Sequence, residues 1–253
     1  MALLSVHDLS AHFGAFTAFE HITFDLEQGS LTGLIGSNGA GKSTLFSAIT
    51  GYLTPTSGQV LFAGTEVGRY AIEQRVRLGL TRTFQVPREF SGLTVFQNLM
   101  AAAPNQDGEN LRSLVFAQGK VRQQERDNAE RARGILDFLK LDKLASERAS
   151  SLSGGQKKLL ELGRVLMLEP RCIMLDEPFA GVNPVLIQEL SNRIKDLHAR
   201  GIALFVIEHD LTSLSRLVPK LYAMDRGRMI AEGAPEHVLK DPKVREAYMG
   251  GVI

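Results

Sequence analysis

Gly36-Ser37-Asn38-Gly39-Ala40-Gly41-Lys42-Ser43-Thr44 is the stretch that decides how this chain is read. Its glycines permit backbone angles that a side chain forbids, so successive N–H groups can turn inward around phosphate oxygens. A lysine directly after the last glycine can reach β- and γ-phosphates, and the hydroxyl of Ser43 suits a magnesium ion. Leu31-Thr-Gly-Leu-Ile35 before it reads as a buried strand, and Leu45 to Ile49 after it as a helix opening near Lys42. Such a helix points the positive end of its dipole at the same anion. The segment therefore reads as a P-loop that grips a nucleoside triphosphate. Taken alone, a Gly-rich turn with an incidental lysine would give the same letters.

The rest of the chain supplies the context. At 253 residues it can bury a substantial core in one or two domains. Basic and acidic residues number 29 and 28, so the general basic footprint of a nucleic-acid binder is missing and no nucleic-acid partner is expected. Met1-Ala-Leu-Leu-Ser has neither the basic start nor the apolar stretch of a secretory signal. No apolar run approaches the roughly 20 residues needed to cross a bilayer. A soluble, intracellular protein is expected. The single cysteine, Cys172, excludes an internal disulfide, and its apolar neighbours read as a buried strand.

Short β-like runs alternate with helical ones, which predicts an α/β protein with a largely parallel sheet. The core strands are placed at Leu31–Ile35, Leu80–Phe84, Cys172–Leu175, Ile202–Ile207 and Lys220–Met224. Leu3–Leu9, His21–Leu26 and Gln59–Phe62 alternate apolar with polar residues, as half-buried antiparallel strands of an edge layer would. From about Leu93 to Glu169 the pattern turns helical, most clearly over Glu130–Leu141, and reads as an inserted helical subdomain. Within it, Pro104 to Arg126 is polar enough for a solvated excursion or an exposed helix. Asp241-Pro242 predicts the cap and first residue of a terminal helix reaching about Met249.

Two further motifs carry chemistry. Cys172-Ile-Met-Leu-Asp176-Glu177 is an apolar strand that delivers two acids to its carboxyl end, where open α/β sheets place ligands. Asp176 would hold magnesium, directly or through water, and Glu177 would polarise the attacking water. Two solvated acids before the Pro178 turn is the plainer alternative. Leu152-Ser153-Gly154-Gly155-Gln156 fits a capping box at the start of a helix running towards Leu168. Its free N–H groups and the Ser153 hydroxyl could also meet a γ-phosphate, with two glycines allowing close approach. One helix start already serves the P-loop, so a second one invites a site shared between two protomers.

These motifs, in this order and over almost the whole chain, resemble the ATP-binding cassette of ABC transporters. The resemblance implies a P-loop NTPase, RecA-like core over about residues 1–92 and 170–253 with a helical subdomain over about 93–169, together forming one ABC ATPase domain. It also implies ATP and Mg2+ as cofactors, and a head-to-tail dimer in which each ATP lies between the P-loop of one cassette and Ser153-Gly154-Gly155-Gln156 of the other. By the same resemblance Gln85 is the Q-loop glutamine that touches magnesium and the water, and His209 the switch histidine that bonds the γ-phosphate. Without it, Gln85 would be a polar residue closing a strand and His209 a surface residue. Phe13, in His12-Phe13-Gly14, lies where the family carries an aromatic that stacks on adenine, with Phe16 as its rival. Where the family usually has Asp, this chain has Asn183 ahead of Pro184. That exchange removes a charge but keeps an N-cap acceptor.

A narrower resemblance is to the ATPase subunits of branched-chain amino-acid importers. It rests on Thr81-Arg-Thr-Phe-Gln85, Phe90-Ser-Gly-Leu-Thr-Val95, Glu177-Pro-Phe-Ala-Gly-Val-Asn-Pro184, Ile207-Glu-His-Asp210 and the stretch from Gly233-Ala-Pro-Glu236 to Glu246-Ala-Tyr-Met-Gly250. Subunits of lipopolysaccharide exporters share the ending and much of the rest of this pattern, and a soluble ABC protein acting on nucleic acid or the ribosome is the rival of another class. The resemblance implies separate transmembrane permease subunits, a periplasmic or extracellular substrate-binding protein, and a place on the inner face of the cell membrane.

Overall fold

The computed structural model describes residues 2–104, 106 and 118–249. The chain divides into two compact units, Met1–Gln85 with Pro170–Ala180 and Ile194–Ile253, and Val86–Glu169 with Gly181–Arg193.

The first unit holds two sheets. Strands β1 (Ala2–Phe13), β2 (Phe16–Glu27), β4 (Ser57–Phe62) and β5 (Thr65–Glu66) form an antiparallel layer in the order β2-β1-β4-β5. Strands β3 (Leu31–Gly36), β6 (Leu80–Arg82), β7 (Cys172–Asp176), β8 (Ala203–Ile207), β9 (Lys220–Asp225) and β10 (Arg228–Gly233) form the second sheet, in the order β10-β9-β3-β8-β7-β6. All its pairings are parallel except that of β10 with β9. Every residue of β3, β7 and β8 is buried, as befits strands covered on both faces.

Aromatic residues join the layers. Phe24 of β2 lies 5.3 Å from Phe205 of β8 and 5.4 Å from Tyr222 of β9, centroid to centroid. Phe46, on helix α1 (Lys42–Thr50), lies 5.1 Å from Phe205. One apolar core thus fills the space between the antiparallel layer, one face of the parallel sheet and the helix behind the loop.

The edge strands are longer than alternation predicts because they are bulged. β1 and β2 pair with register shifts after Val6 and Leu9, and Asp8 and His21 sit at φ of 48° and 53°. Each bulge is tied down by a hydroxyl: Asp8 N–H donates to Thr23 Oγ1 at 2.9 Å, and His21 N–H to Ser10 Oγ at 3.0 Å. Helix α2 (Ile72–Arg77) and strands β5 and β10 were not expected from the sequence.

The second unit contains α3 (Val95–Met100), α4 (Gln118–Phe138) and α5 (Gly154–Leu166). It begins at Val86, ahead of the expected Leu93, because buried Asn98 gathers the preceding turn: its Oδ1 accepts from Phe90 N–H at 2.8 Å and its Nδ2 donates to Phe90 O at 3.0 Å. It also takes in Gly181–Arg193, where helix α6 (Pro184–Ala199) opens. A Cβ at Gly155 would come within 2.5 Å of Leu186 Cδ1, so only glycine lets α5 and this segment approach so closely. Asn183 Oδ1 accepts from Leu186 N–H at 3.0 Å, the capping expected of it. The part of Pro104–Arg126 from residue 118 onward is helix; residues 105 and 107–117 lie outside the described residues. Among the described residues no helix is long and apolar enough to cross a membrane.

The chain is completed by α7 (Leu211–Leu217), α8 (Pro235–Val238) and α9 (Pro242–Met249), the last opening with Lys243 N–H donating to Asp241 Oδ1 at 2.8 Å. Cys172 is buried in β7, and burial pushes its thiol up to about 12.

Candidate active site

The parallel strands of the first unit end on one edge of the sheet, and the chemistry predicted from the sequence gathers there. β3 leads into Gly36–Thr44, β7 into Asp176 and Glu177, β8 into Glu208 and His209, and β6 towards Gln85. A cavity of about 490 Å³ is lined by Asn38 to Thr44, Phe16, Ala18, Gln85 and Glu177.

The loop is built for an anion. Gly41 caps α1 at φ 96° with no side-chain cap, which leaves the first N–H groups of that helix directed outward. A Cβ at Gly41 would strike Ala18 O at 2.4 Å. Lys42 is buried and bends back over the loop, donating to Gly36 O at 2.8 Å and Ser37 O at 3.0 Å. Burial lowers its pKa, while the charges of Glu177 and Asp176 pull the other way. Its bonds are to neutral carbonyls, which a phosphate can replace with a stronger, charge-assisted partner.

Ser43 Oγ donates to Asp176 Oδ1 at 3.3 Å. The other oxygen of Asp176 is 2.7 Å from Arg82 Nη2, and both side chains are almost inaccessible, at 4% and 7% exposure. Arg82 also donates to Ser47 Oγ at 3.0 Å, and its guanidinium lies 5.2 Å from the Phe84 ring centroid. Beside this pair, Gln85 Nε2 donates to Glu177 Oε2 at 2.6 Å, and His209 Nδ1 lies 3.9 Å from the same oxygen. Glu177 holds φ 48°, a left-handed angle uncommon for a residue with a side chain.

The oxygen set suits magnesium. Ser43 and Asp176 offer hard oxygen donors side by side. No group of three or more His, Cys, Asp or Glu among the described residues could hold a metal by itself. An ion held by one or two protein oxygens plus substrate phosphates is the usual magnesium arrangement.

Of the two aromatic candidates, Phe16 lines the cavity and Phe13 does not. Phe16 opens β2, and two residues on, along the same strand, Ala18 lies on the cavity wall too. Phe13 belongs to the other arm of the turn; both rings are solvent-exposed, at 51% and 64% for Phe13 and Phe16. Ser153, Gly154, Gly155 and Gln156 belong to the second unit. There Ser153 Oγ accepts from Gln156 N–H at 3.3 Å and Gln156 Oε1 from Ser153 N–H at 2.9 Å, the reciprocal box that opens α5.

Sequence reasoning gave Arg82 and Glu208 no part. An arginine in a short strand and an acid beside a histidine both read as solvated charges. The only signal available was position: Arg82 ends a short strand, and Glu208 directly follows the buried apolar run Ala203–Ile207.

Glu208 is fully buried, and burial raises its carboxyl from 4.5 to about 7, with His209 lowering and Glu177 raising it to smaller degrees. The folded protein therefore keeps this proton where the unfolded chain has lost it, so its stability contribution is complete below about pH 4.5 and fades as pH rises through 7. Glu208→Gln should match the parent near pH 4.5 and exceed it by about 2 to 3 kcal/mol at pH 8, as urea titrations at the two pH values would measure.

Known proteins place the chain. The family described as ABC transporter matches residues 19–180, and that described as branched-chain amino acid ATP-binding cassette transporter matches residues 228–252. A Methanocaldococcus jannaschii protein named "Probable branched-chain amino acid transport ATP-binding protein LivG" is 39% identical over 99% of this chain and 98% of its own length. The Escherichia coli K12 high-affinity branched-chain amino acid transport ATP-binding protein LivG is 34% identical over 98% of each. A nucleotide-free ATP-binding cassette from an ABC transporter superposes with a TM-score of 0.86 at 38% identity, over 98% of this chain and 99% of that one. The ADP conformation of such a cassette gives 0.83 at 36% identity, over 99% of both chains. Phosphate loop, paired acids and capped second helix start, together with relatives aligned from end to end, assign the chain to the ABC transporter family as an ATPase subunit.

Proposed function

We propose that this subunit hydrolyses ATP with Mg2+ to drive the import of branched-chain amino acids through separate permease subunits. The observation that carries the reading is one loop-lined cavity whose wall holds the bonded pair Gln85 and Glu177 together with Ser43, itself bonded to Asp176. The loop from Gly36 to Thr44 wraps the phosphates. Lys42 leaves its carbonyl partners for the β- and γ-phosphates, and Phe16, rather than Phe13, stacks on adenine. Ser43, Asp176 and Gln85 would hold the magnesium ion, which supplies charge neutralisation of the phosphates when bound. Glu177 takes the proton of the attacking water, held there by Gln85, and His209 donates to the γ-phosphate.

Ser153 to Gln156 serve the ATP held by a second cassette, so two chains, copies or paralogues, close head to tail around two nucleotides. Closure is favoured by ATP because the nucleotide gains contacts in the closed state alone, and an equilibrium shifts only by such differential affinity. The subunit then works at the inner face of the membrane, and a periplasmic or extracellular binding protein delivers the cargo to the permease. The names of the full-length relatives support the cargo.

Reconstitution tests this reading. Proteoliposomes containing the chain, its permease subunits and the binding protein should take up radiolabelled leucine only with ATP and magnesium present, and Lys42→Ala should abolish uptake. ATP-driven movement of leucine into the compartment holding the binding protein, or none at all, would overturn the cargo assignment.

A further inference from the structure

The catalytic reading leaves Glu208 without a role, yet a carboxylate with no exposed surface is costly to keep in a core. Its neighbours explain where it acts. Glu208 Oε1 accepts a hydrogen bond from the backbone N–H of Phe179 at 2.6 Å, and Oε2 lies 3.8 Å from His209 Nδ1. Phe179 stands two residues beyond Glu177, in the turn that carries Glu177 at its left-handed φ of 48°.

That turn is clamped at each side. Glu177 N–H donates to Ile207 O at 3.0 Å, and Ala180 N–H closes the turn on Glu177 O at 3.2 Å. The clamp's two anchors, Ile207 O and the Glu208 carboxylate, are consecutive residues at the end of β8, which the sheet holds in parallel register with β7 from Cys172↔Ala203 to Asp176↔Ile207. A turn held in an uncommon backbone conformation persists when its surroundings over-determine it. Here the determining bonds are one backbone carbonyl and one buried side chain. The Glu208 Oε1 oxygen accepts the Phe179 N–H whether the carboxyl is protonated or ionised.

We propose that Glu208 is a positioning residue for ATP hydrolysis, holding the Glu177–Ala180 turn through Phe179 N–H so that the Glu177 carboxylate meets Gln85 and His209. This inference rests on the reading of Glu177 as the base. It assigns Glu208 no contact with substrate; it acts on the chemistry through the backbone of the residue that makes it. His209, the next residue along, is thereby fixed to the same anchor, so the base and the switch histidine share one reference point on β8.

The inference separates from a merely stabilising role by a kinetic pattern. In the full chain, Glu208→Leu removes the acceptor and the shorter Glu208→Thr draws its oxygen back from Phe179 N–H, whereas Glu208→Gln keeps an oxygen at Oε1. Leu and Thr variants should lose at least tenfold in kcat for ATP hydrolysis with KM within twofold of the parent; Gln should stay within threefold in both. Should Glu208→Leu fail to fold, Glu208→Thr carries the comparison. Combined with Glu177→Gln, the Leu or Thr change should add no further loss, since its route of action is already gone. Parental kcat in the Leu and Thr variants, a Gln variant as slow as they are, or losses that multiply in the double variants would each overturn the inference. Normal turnover by Glu177→Gln alone would instead overturn the assignment of the base.

Discussion

Glu177→Gln is expected to lower ATP turnover by roughly 100- to 1000-fold while leaving ATP affinity within about threefold of the parent. The expectation follows from what the exchange removes. Gln is the same size and can still meet Gln85 Nε2, which donates to Glu177 Oε2 at 2.6 Å, through its own amide oxygen. It cannot take a proton from water. Nothing in the loop from Gly36 to Thr44 changes, so the phosphate contacts that dominate binding stay in place. The near-neighbour charge on Lys42 does change: Glu177 is the larger of the two carboxylates raising the lysine pKa against burial, and losing it moves that pKa further down. Lys42 still gains its phosphate partner, so affinity is nearly preserved. With hydrolysis blocked, the ATP-bound state has no exit, and dimers should accumulate with ATP and magnesium. A phosphate-release assay, equilibrium binding of a fluorescent ATP analogue and size-exclusion chromatography read these three outcomes. Ordinary turnover by the variant would remove Glu177 from its role.

The parts of the fold that could be read in advance are those whose residues face one environment throughout. β3, β7 and β8 are buried at every position, and an unbroken apolar run between turn residues announces such a strand. The capping box at Ser153 and the Asp-Pro start of α9 were legible because caps are local chemistry. Alternation failed where the backbone departs from it. At Asp8 and His21 the bulges break the period of two, so β1 and β2 looked shorter than they are. β10 shows only partial burial along its length, as an edge strand does, and gives alternation little contrast to work with. β6 ends at Arg82, before the predicted Phe84, because beyond it the ladder gives way to single bonds: Thr83 N–H reaches Met174 O at 3.0 Å, and Thr83 Oγ1 accepts from Asp176 N–H at 3.3 Å.

The site divides in the same way. The loop from Gly36 to Thr44 appears as a contiguous run, because a loop suited to an anion wraps it with consecutive amides. Residues that act on other residues do not. Arg82 and Asp176 are 94 positions apart, and Glu208 and Phe179 are 29. A charged residue opposite an unknown partner reads as solvated, which is the better guess until the sheet order is known. Phe13 and Phe16 flank one turn, and only the course of β2 distinguishes them.

Arg82→Met is expected to destabilise the protein by about 3 to 5 kcal/mol, the cost of removing one partner from a buried ion pair. Its Nη2 lies 2.7 Å from Asp176 Oδ2, with 7% and 4% of the two side chains exposed. Methionine replaces most of the volume and can still pack against Tyr52 and Phe84, whose ring centroids lie 5.6 and 5.2 Å from the guanidinium carbon. The loss therefore reports mainly the charge left behind on Asp176. Neutralising that charge should recover much of it: Arg82→Met with Asp176→Asn should be more stable than Arg82→Met alone, by about 2 kcal/mol or more, in urea titrations of the full chains. Equal stability of the single and double variants would mean that packing, and not the pair, accounts for the cost. The same geometry bears on the magnesium ion proposed for the site. Arg82 occupies Oδ2 and leaves Oδ1 to Ser43, so Asp176 presents one oxygen, already oriented, on the side where α1 begins. A carboxylate free to turn would have to be ordered as the ion arrives; one braced by a buried arginine meets it in place.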